Sequence, residues 1–109
     1  MNNQGRKTVF VIYYSMYGHV AKLAHQICQG LERAGVNARL YQVAETLPRE
    51  VLDKMHAPAK DANVPVITPA LMKEADGFLF GMSSRFGMAP AQMKTFFDSC
   101  GQLWMSGAL

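Results

Sequence analysis

Residues 8–20, TVFVIYYSMYGHV, decide the fold of this chain. Residues 8–14 form an almost unbroken run of β-branched and aromatic side chains. Continuous apolarity of this kind predicts a strand that is buried on both faces, as in a parallel sheet. Residues 15–18 interrupt the run, and from His19 onward the spacing of the apolar residues becomes helical. The segment therefore predicts a strand, a short loop and a helix in direct succession.

The helical pattern extends to Gly35, which stands where a left-handed cap is expected. Its apolar members repeat at intervals of three and four residues, as on one face of an amphipathic helix: Val20, Leu23, Ala24, Ile27, Cys28, Leu31 and Ala34. A short second strand is predicted over residues 38–43. Residues 8–43 thus form a β-α-β unit, whose crossover must be right-handed and whose strands must be parallel.

Downstream elements continue the alternation of strands and helices. Residues 44–69 are predicted as a surface excursion with a short helical pattern at 49–55, followed by a brief helix from Pro69 to Glu74. A third strand is expected at residues 78–82, and a helix that begins near Pro90 is closed by Gly101. The tail, residues 102–109, is predicted as loop. This order predicts an α/β open parallel sheet that is cut short after its third strand and the following helix.

Composition restricts the possible functions. The chain has 109 residues, half of them apolar, and a net charge of +3, which suits one domain with a buried core. Lysines are scattered, which does not favour nucleic-acid binding. Neither Cys28 nor Cys100 lies at metal-ligand spacing, so both are interpreted as buried apolar residues in a reducing compartment. No secretory or membrane-spanning pattern is present, and we expect a cytoplasmic protein.

The loop at residues 15–20 lies between the carboxyl end of a strand and the start of a helix. The first N–H groups of a helix lack intrahelical acceptors and carry partial positive charge, so a phosphate is a suitable ligand. Ser15 adds a hydroxyl, and Gly18 allows close approach of the backbone. P-loop and dinucleotide-type glycine patterns are both missing. The residues alone leave two interpretations open: an anion site, or an ordinary turn with a serine cap.

A second loop, residues 81–87, follows the third strand. Ligands of open α/β sheets bind at the carboxyl ends of strands where the winding reverses, which for this strand order lies between strands one and three. We expect both loops to meet over one ligand, with Ser84, Arg85 and Phe86 in contact with it. The competing interpretations are a surface arginine and a core phenylalanine.

Four segments together resemble the tryptophan-repressor-binding-protein-A (WrbA) family of flavodoxin-like NAD(P)H:quinone oxidoreductases. They are residues 13–20, 84–87, 92–98 and 103–109, and the resemblance extends from about Val9 to Leu109. It implies a protein of flavodoxin-like fold that uses flavin mononucleotide (FMN) to reduce quinones with NAD(P)H. It also implies assembly into homo-oligomers, which in the family are tetramers.

The resemblance further implies roles for individual residues. The FMN phosphate would lie on the first loop, which comprises Ser15, Met16, Tyr17, Gly18, His19 and Val20. Ser84, Arg85 and Phe86 would line the rest of the flavin, and Tyr17 would contact the nicotinamide cofactor. Trp104 would form a wall of the quinone pocket, an assignment compatible with a packing role. No side chain is assigned as a catalytic acid or base, and no metal site is expected.

Two departures from the family pattern affect this interpretation. Met82-Ser83-Ser84 replaces the usual Thr-Pro-Thr before Arg85, which removes a proline from the second loop. The family also continues for about as many residues again, so this chain is expected to be the N-terminal part of the domain. Alternatives to the enzyme are therefore a truncated remnant with impaired activity and an electron-transferring, flavodoxin-like binding module.

Overall fold

The computed structural model describes residues 6–84 and 87–107, and it contains a three-stranded parallel sheet. The strands are β1 (Thr8–Tyr13), β2 (Asn37–Gln42) and β3 (Gly77–Gly81), in the order β2-β1-β3. The helices are α1 (His19–Arg33), α2 (Arg49–Lys54), α3 (Ala91–Ser99) and α4 (Gly101–Met105), and Pro69–Glu74 forms a 3-10 helix. The predicted flavodoxin-like parallel sheet with three strands is confirmed.

β1 lies at the centre of the sheet and is buried on both faces, as its continuous apolarity predicted. Phe10 and Ile12 face one layer, where they join α3 residues in the larger core cluster. Val11 and Tyr13 face the opposite layer, where they pack with Ala24 of α1. Because successive side chains of a strand point to opposite faces, a strand covered on both sides needs apolar residues at every position.

α1 follows the predicted pattern, but the sheet covers only part of its apolar stripe. Ala24 is buried, whereas Leu23 is 63% exposed. On the same side of the sheet, Leu79 of β3 is also exposed and lines a groove of about 260 Å³ with α1. The described strands therefore leave an apolar margin along β3.

The prediction of a loop after Gly101 is wrong, because residues 101–105 form α4. Gly101 has no left-handed conformation, unlike Gly35 and Gly107, whose φ angles are 85° and 76°. The chain bends at Cys100 instead, and its carbonyl accepts a hydrogen bond from the N–H of Trp104. Partial burial of Leu103 against the core stabilises this extra turn.

The segment between β2 and β3 is held against the sheet by the end of β2. The side-chain amide of Gln42 donates to the carbonyls of Asp61 and Val64, both at 2.8 Å. Its backbone also pairs with Val66 in an isolated parallel bridge. These bonds fix residues 61–66 beside the carboxyl end of β2. In the described part of the chain, no helix is both long enough and apolar enough to cross a membrane.

Candidate functional site

The loop between β1 and α1 is a tight turn that begins from a buried strand end. Ser15 is only 9% exposed, and its Oγ accepts a hydrogen bond of 3.0 Å from the N–H of Gly18. Gly18 has φ 96° and ψ −7°, a left-handed conformation that a glycine adopts without steric cost. A Cβ built on Gly18 would meet no atom within 4 Å, so the space beside this glycine is open.

The start of α1 presents backbone donors at this turn. The first bond of the helical series runs from the N–H of Lys22 to the carbonyl of Gly18, at 3.1 Å. The N–H groups of His19, Val20 and Ala21 precede it, and α1 has 15 residues whose dipoles add at this end. A left-handed glycine, a serine hydroxyl and the first N–H groups of a long helix form a set of donors suited to a phosphate.

Side chains of the predicted loop residues have different surroundings. Met16 is buried in the larger core cluster, whereas His19 is exposed. Val20 packs against β3, where a Cβ on Gly81 would lie 3.2 Å from its Cγ1. Gly81 thus allows the start of α1 to approach β3 closely. The apolar side chains of Met16 and Val20 are therefore engaged in packing, whereas the His19 imidazole is exposed.

A cavity of about 330 Å³ adjoins the loop. Its walls include Ser15, Tyr17 and Gly18 on one side and residues 58–61, including Lys60 and Asp61, on the other. The hydroxyl of Tyr17 donates to the carbonyl of Met55 at 3.0 Å, although the residue is about half exposed. The segment between β2 and β3 therefore contributes to the walls of this site.

A polar cluster that was not predicted from the sequence lies next to the loop, with Glu45 at its centre. Oε1 of Glu45 accepts hydrogen bonds from the Tyr14 hydroxyl at 2.7 Å and from the Lys60 ammonium at 3.3 Å. Oε2 accepts hydrogen bonds from the Gln92 amide at 2.7 Å and from the backbone N–H groups of Thr46 and Leu47. Both carboxylate oxygens are thus satisfied, by residues from four separate parts of the chain.

This environment lowers the pKa of Glu45. Burial by itself would raise the pKa, but hydrogen bonds from Tyr14, Gln92, Leu47 and Lys60 outweigh it and bring the value to about 2. The side chain is only 13% exposed, so the carboxylate is a largely buried charge at neutral pH. Sequence signals for this cluster were weak, because its members are far apart along the chain and Glu45, Lys60 and Gln92 each resemble an ordinary surface residue.

The second predicted loop is described only in part. Arg85 and Phe86 lie outside the described residues, whereas Ser84 is exposed. The two loops do start side by side: the N–H of Tyr14 donates to the carbonyl of Gly81 at 3.0 Å, which joins the ends of β1 and β3. The expected contact of both loops with one ligand therefore stays a prediction, which this adjacency supports.

Trp104 lies in a different environment from the first loop. Its side chain is 76% exposed and lines an apolar cavity of about 590 Å³ together with Phe78, Phe80 and Phe97. None of the residues that line this cavity also lines the cavity beside Ser15 and Gly18. The described residues thus do not bring Trp104 together with the phosphate-binding loop.

Neither cysteine forms a disulfide or part of a metal site among the residues that the structure describes. Cys100 is buried as predicted, whereas Cys28 is only half-buried. Burial raises the thiol pKa of both cysteines. Residues 6–84 and 87–107 contain no group of three or more His, Cys, Asp and Glu side chains that could hold a metal ion.

The fold and this loop define the flavodoxin-like class of α/β proteins, and comparison with known proteins agrees. The Flavodoxin family matches residues 11–109. This chain belongs to the flavodoxin family.

Similar curated proteins include several quinone oxidoreductases. Quinone-oxidoreductase QR2 of Triphysaria versicolor is 55% identical over 102 residues, which cover 93% of this chain and 49% of that protein. The probable NAD(P)H dehydrogenase (quinone) FQR1-like 2 of Arabidopsis thaliana is 52% identical, over 93% of this chain and 37% of that protein. The minor allergen Alt a 7 of Alternaria alternata is 54% identical, over 92% of this chain and 50% of that protein. The resemblance to NAD(P)H quinone oxidoreductases is thus confirmed, and the chain spans about half the length of these relatives or less.

Proposed function

We propose that this chain carries the FMN phosphate site of an NAD(P)H-dependent quinone reductase. The observation that carries the proposal is the geometry of the first loop, in which Gly18 is left-handed and Ser15 Oγ accepts its N–H. The names of the relatives, which include two NAD(P)H or quinone oxidoreductases, support the same class of reaction. A cytoplasmic location stays an expectation from the sequence, and homo-oligomeric assembly is proposed from the family resemblance.

The residues of the loop fit a phosphate monoester. Ser15 Oγ uses a lone pair for the Gly18 N–H, so its own proton is available for a phosphate oxygen. The N–H groups of His19 and Val20 supply further donors, and the dipole of α1 favours negative charge there. The open space beside Gly18 leaves room for the ligand. When bound, FMN would supply the redox chemistry, hydride acceptance from NAD(P)H and two-electron reduction of a quinone.

The protein's part in this reaction is to bind and orient. Ser15 and the start of α1 would fix the phosphate, and the second loop with Ser84, Arg85 and Phe86 would contact the remainder of the flavin. Tyr17, held by Met55, would stand where it can contact the nicotinamide. Trp104 would contact the quinone.

One observation favours a second candidate, a flavin-binding module without turnover. Trp104, the proposed wall of the quinone pocket, lines a cavity separate from that of the first loop. A module of this kind would bind FMN but would not couple NADH oxidation to quinone reduction.

FMN titration followed by a turnover assay tests both candidates. Quenching of flavin fluorescence on addition of the full chain measures binding, and NADH oxidation in the presence of benzoquinone measures turnover. Ser15→Ala should weaken FMN binding by about tenfold, the effect of one hydrogen bond to a charged group. Ser106→Ala is the matched control, because Ser106 is exposed and its hydroxyl bonds only within its own turn, to the Leu103 carbonyl.

The outcomes separate the candidates. Quenching by the parent and by Ser106→Ala, weaker quenching by Ser15→Ala and NADH turnover together support the reductase. Quenching without turnover supports the binding module. No quenching by the parent chain at micromolar flavin would overturn the FMN site itself.

A further inference from the structure

Three interactions converge on the ammonium group of Lys60. Its Nζ donates to the carbonyl of Ser15 at 2.7 Å, lies 3.3 Å from Oε1 of Glu45, and is 4.7 Å from the ring centroid of Tyr14. Its side chain is largely shielded from solvent, which strengthens these interactions. A lysine 45 residues distant in sequence from Ser15 is therefore held against the first loop.

The bond to Ser15 fixes the direction of a peptide group at the start of the loop. In a trans peptide the C=O and the following N–H point in opposite directions, so the contact with Lys60 also sets the direction of the Met16 N–H. The hydroxyl of the same serine is bonded to Gly18. Hydrogen bonds thus hold both the carbonyl and the side chain of Ser15 in this orientation.

Glu45 holds Lys60 in place. One oxygen of the carboxylate contacts Lys60, and the other accepts from Gln92 near the start of α3, the helix that follows the second loop. The hydroxyl of Tyr14, the residue that precedes Ser15, donates to the same carboxylate. The Glu45 carboxylate thus connects the first loop to α3, the helix that follows the second loop.

Lys60 also lines the same cavity as Ser15 and Gly18. Asp61 lines the same cavity, so the ammonium of Lys60 offsets a negative charge there, and its removal would leave a wall that repels an anion.

We propose that Lys60, held by Glu45, is a positioning residue of the first loop that makes the site prefer a phosphorylated flavin over an unphosphorylated one. The inference rests on the proposed function, because the phosphate is that of FMN. Lys60 keeps Ser15 in the orientation that the phosphate requires and adds positive charge beside it. A lysine that only stabilised the fold would affect FMN and riboflavin equally.

The decisive experiment compares the affinities of the full chain for FMN and riboflavin. Lys60→Met removes the charge but keeps an unbranched apolar side chain, and Lys60→Arg restores the charge and the donors. Lys54→Met is the matched control, because Lys54 is exposed at the end of α2 and its replacement changes the net charge equally. Thermal unfolding of each variant shows that it is folded at the temperature of the titration.

Lys60→Met should weaken FMN binding by about tenfold and riboflavin binding by less than about twofold, because only FMN carries the phosphate that Lys60 serves. Lys60→Arg should recover most of the preference, and Lys54→Met should leave it unchanged. Equal losses for FMN and riboflavin in Lys60→Met would overturn the proposal, as would a loss of the same size in Lys54→Met.

A second measurement needs no flavin. Hydrogen exchange of the Gly18 amide, which donates to Ser15 Oγ, should be about fivefold faster in Lys60→Met, because the loop is released. Inorganic phosphate should shift the Gly18 amide resonance in the parent chain and not in Lys60→Met. If the parent binds neither flavin, the proposed function fails, and these two signals still decide the role of Lys60: unchanged exchange and an unchanged phosphate shift would overturn it.

Discussion

Replacing Glu45 with glutamine should remove a large part of the acid sensitivity of this fold. The carboxylate of Glu45 has a pKa of about 2 in the folded chain, compared with an ordinary value of 4.5. A group whose pKa is lowered by folding stabilises the folded state at pH values above its unfolded pKa. That stabilisation is lost as the pH falls from about 4.5 toward 2, where the folded chain also takes up the proton.

The pKa difference sets the size of the effect. A carboxyl group that changes from 4.5 to about 2 on folding contributes at most about 3 kcal/mol at neutral pH. Solvent near the Glu45–Lys60 pair screens part of this, so about 2 kcal/mol is expected. At pH 2 the remaining contribution should be below about 0.5 kcal/mol.

Urea unfolding of the parent and Glu45→Gln at several pH values between 2 and 7 measures this contribution. The difference in the free energy of unfolding should be about 2 kcal/mol at pH 6 and should shrink steadily below pH 4.5. Glu50→Gln is the control, because Glu50 is an exposed residue in the first turn of α2. It should show no comparable change with pH.

A difference between parent and Glu45→Gln that stays constant from pH 2 to pH 7 would refute this reasoning. It would mean that the shape of the side chain matters and its charge does not. Equal pH dependence in Glu50→Gln would refute it too, because the effect would then follow net charge and not the buried cluster.

Three further predictions concern the backbone, the aromatic face and the thiols. Gly30→Ala should stabilise the chain by about 0.5–1 kcal/mol, because Gly30 lies inside α1 with open space around it. Gly18→Ala should destabilise the chain by about 1 kcal/mol, because Gly18 has a left-handed φ. Changes of the same sign in the free energy of urea unfolding would contradict this reasoning. Trp104→Ala should lower the free energy of unfolding by less than about 1.5 kcal/mol, because the Trp104 side chain is mostly exposed, whereas Phe96→Ala should lower it by about 3–5 kcal/mol, because Phe96 is buried. Similar losses for both variants in thermal unfolding would show instead that Trp104 packs against the core. Burial raises the pKa of Cys28 and Cys100, so iodoacetamide at pH 7.5 should alkylate both more slowly than free cysteine, and rapid reaction of the folded chain would contradict this.

Much of the fold was predictable because its signals are local. The continuous apolar run of residues 8–14 determined a strand buried on both faces, and the change to helical spacing at His19 located α1. Gly35 was predicted as a left-handed cap and has φ 85°. The prediction that Gly101 ends the helical region was wrong. A glycine after a helix stops it only where the backbone turns left-handed, and Gly101 does not adopt that conformation.

The candidate site was predictable only where it is continuous in sequence. Residues 15–20 form a single loop, so their types and spacing were enough to mark them as a candidate anion site. The location of Trp104 could not be predicted, because it depends on α4, which the sequence pattern did not indicate, and on where that helix lies across the cavity from β3.

The sequence by itself thus determined the parallel β-α-β unit and the loop with Ser15 and Gly18, because the period of apolar residues and the conformational freedom of glycine act over a few residues. Only the tertiary structure decided that Glu45 and Lys60 belong to that loop. Lys60 reaches Ser15 across 45 residues of chain, and Glu45 reaches Gln92 across 47. Contacts of this length depend on how β2 and the following segment pack against β1, and no local pattern of residue types records that packing.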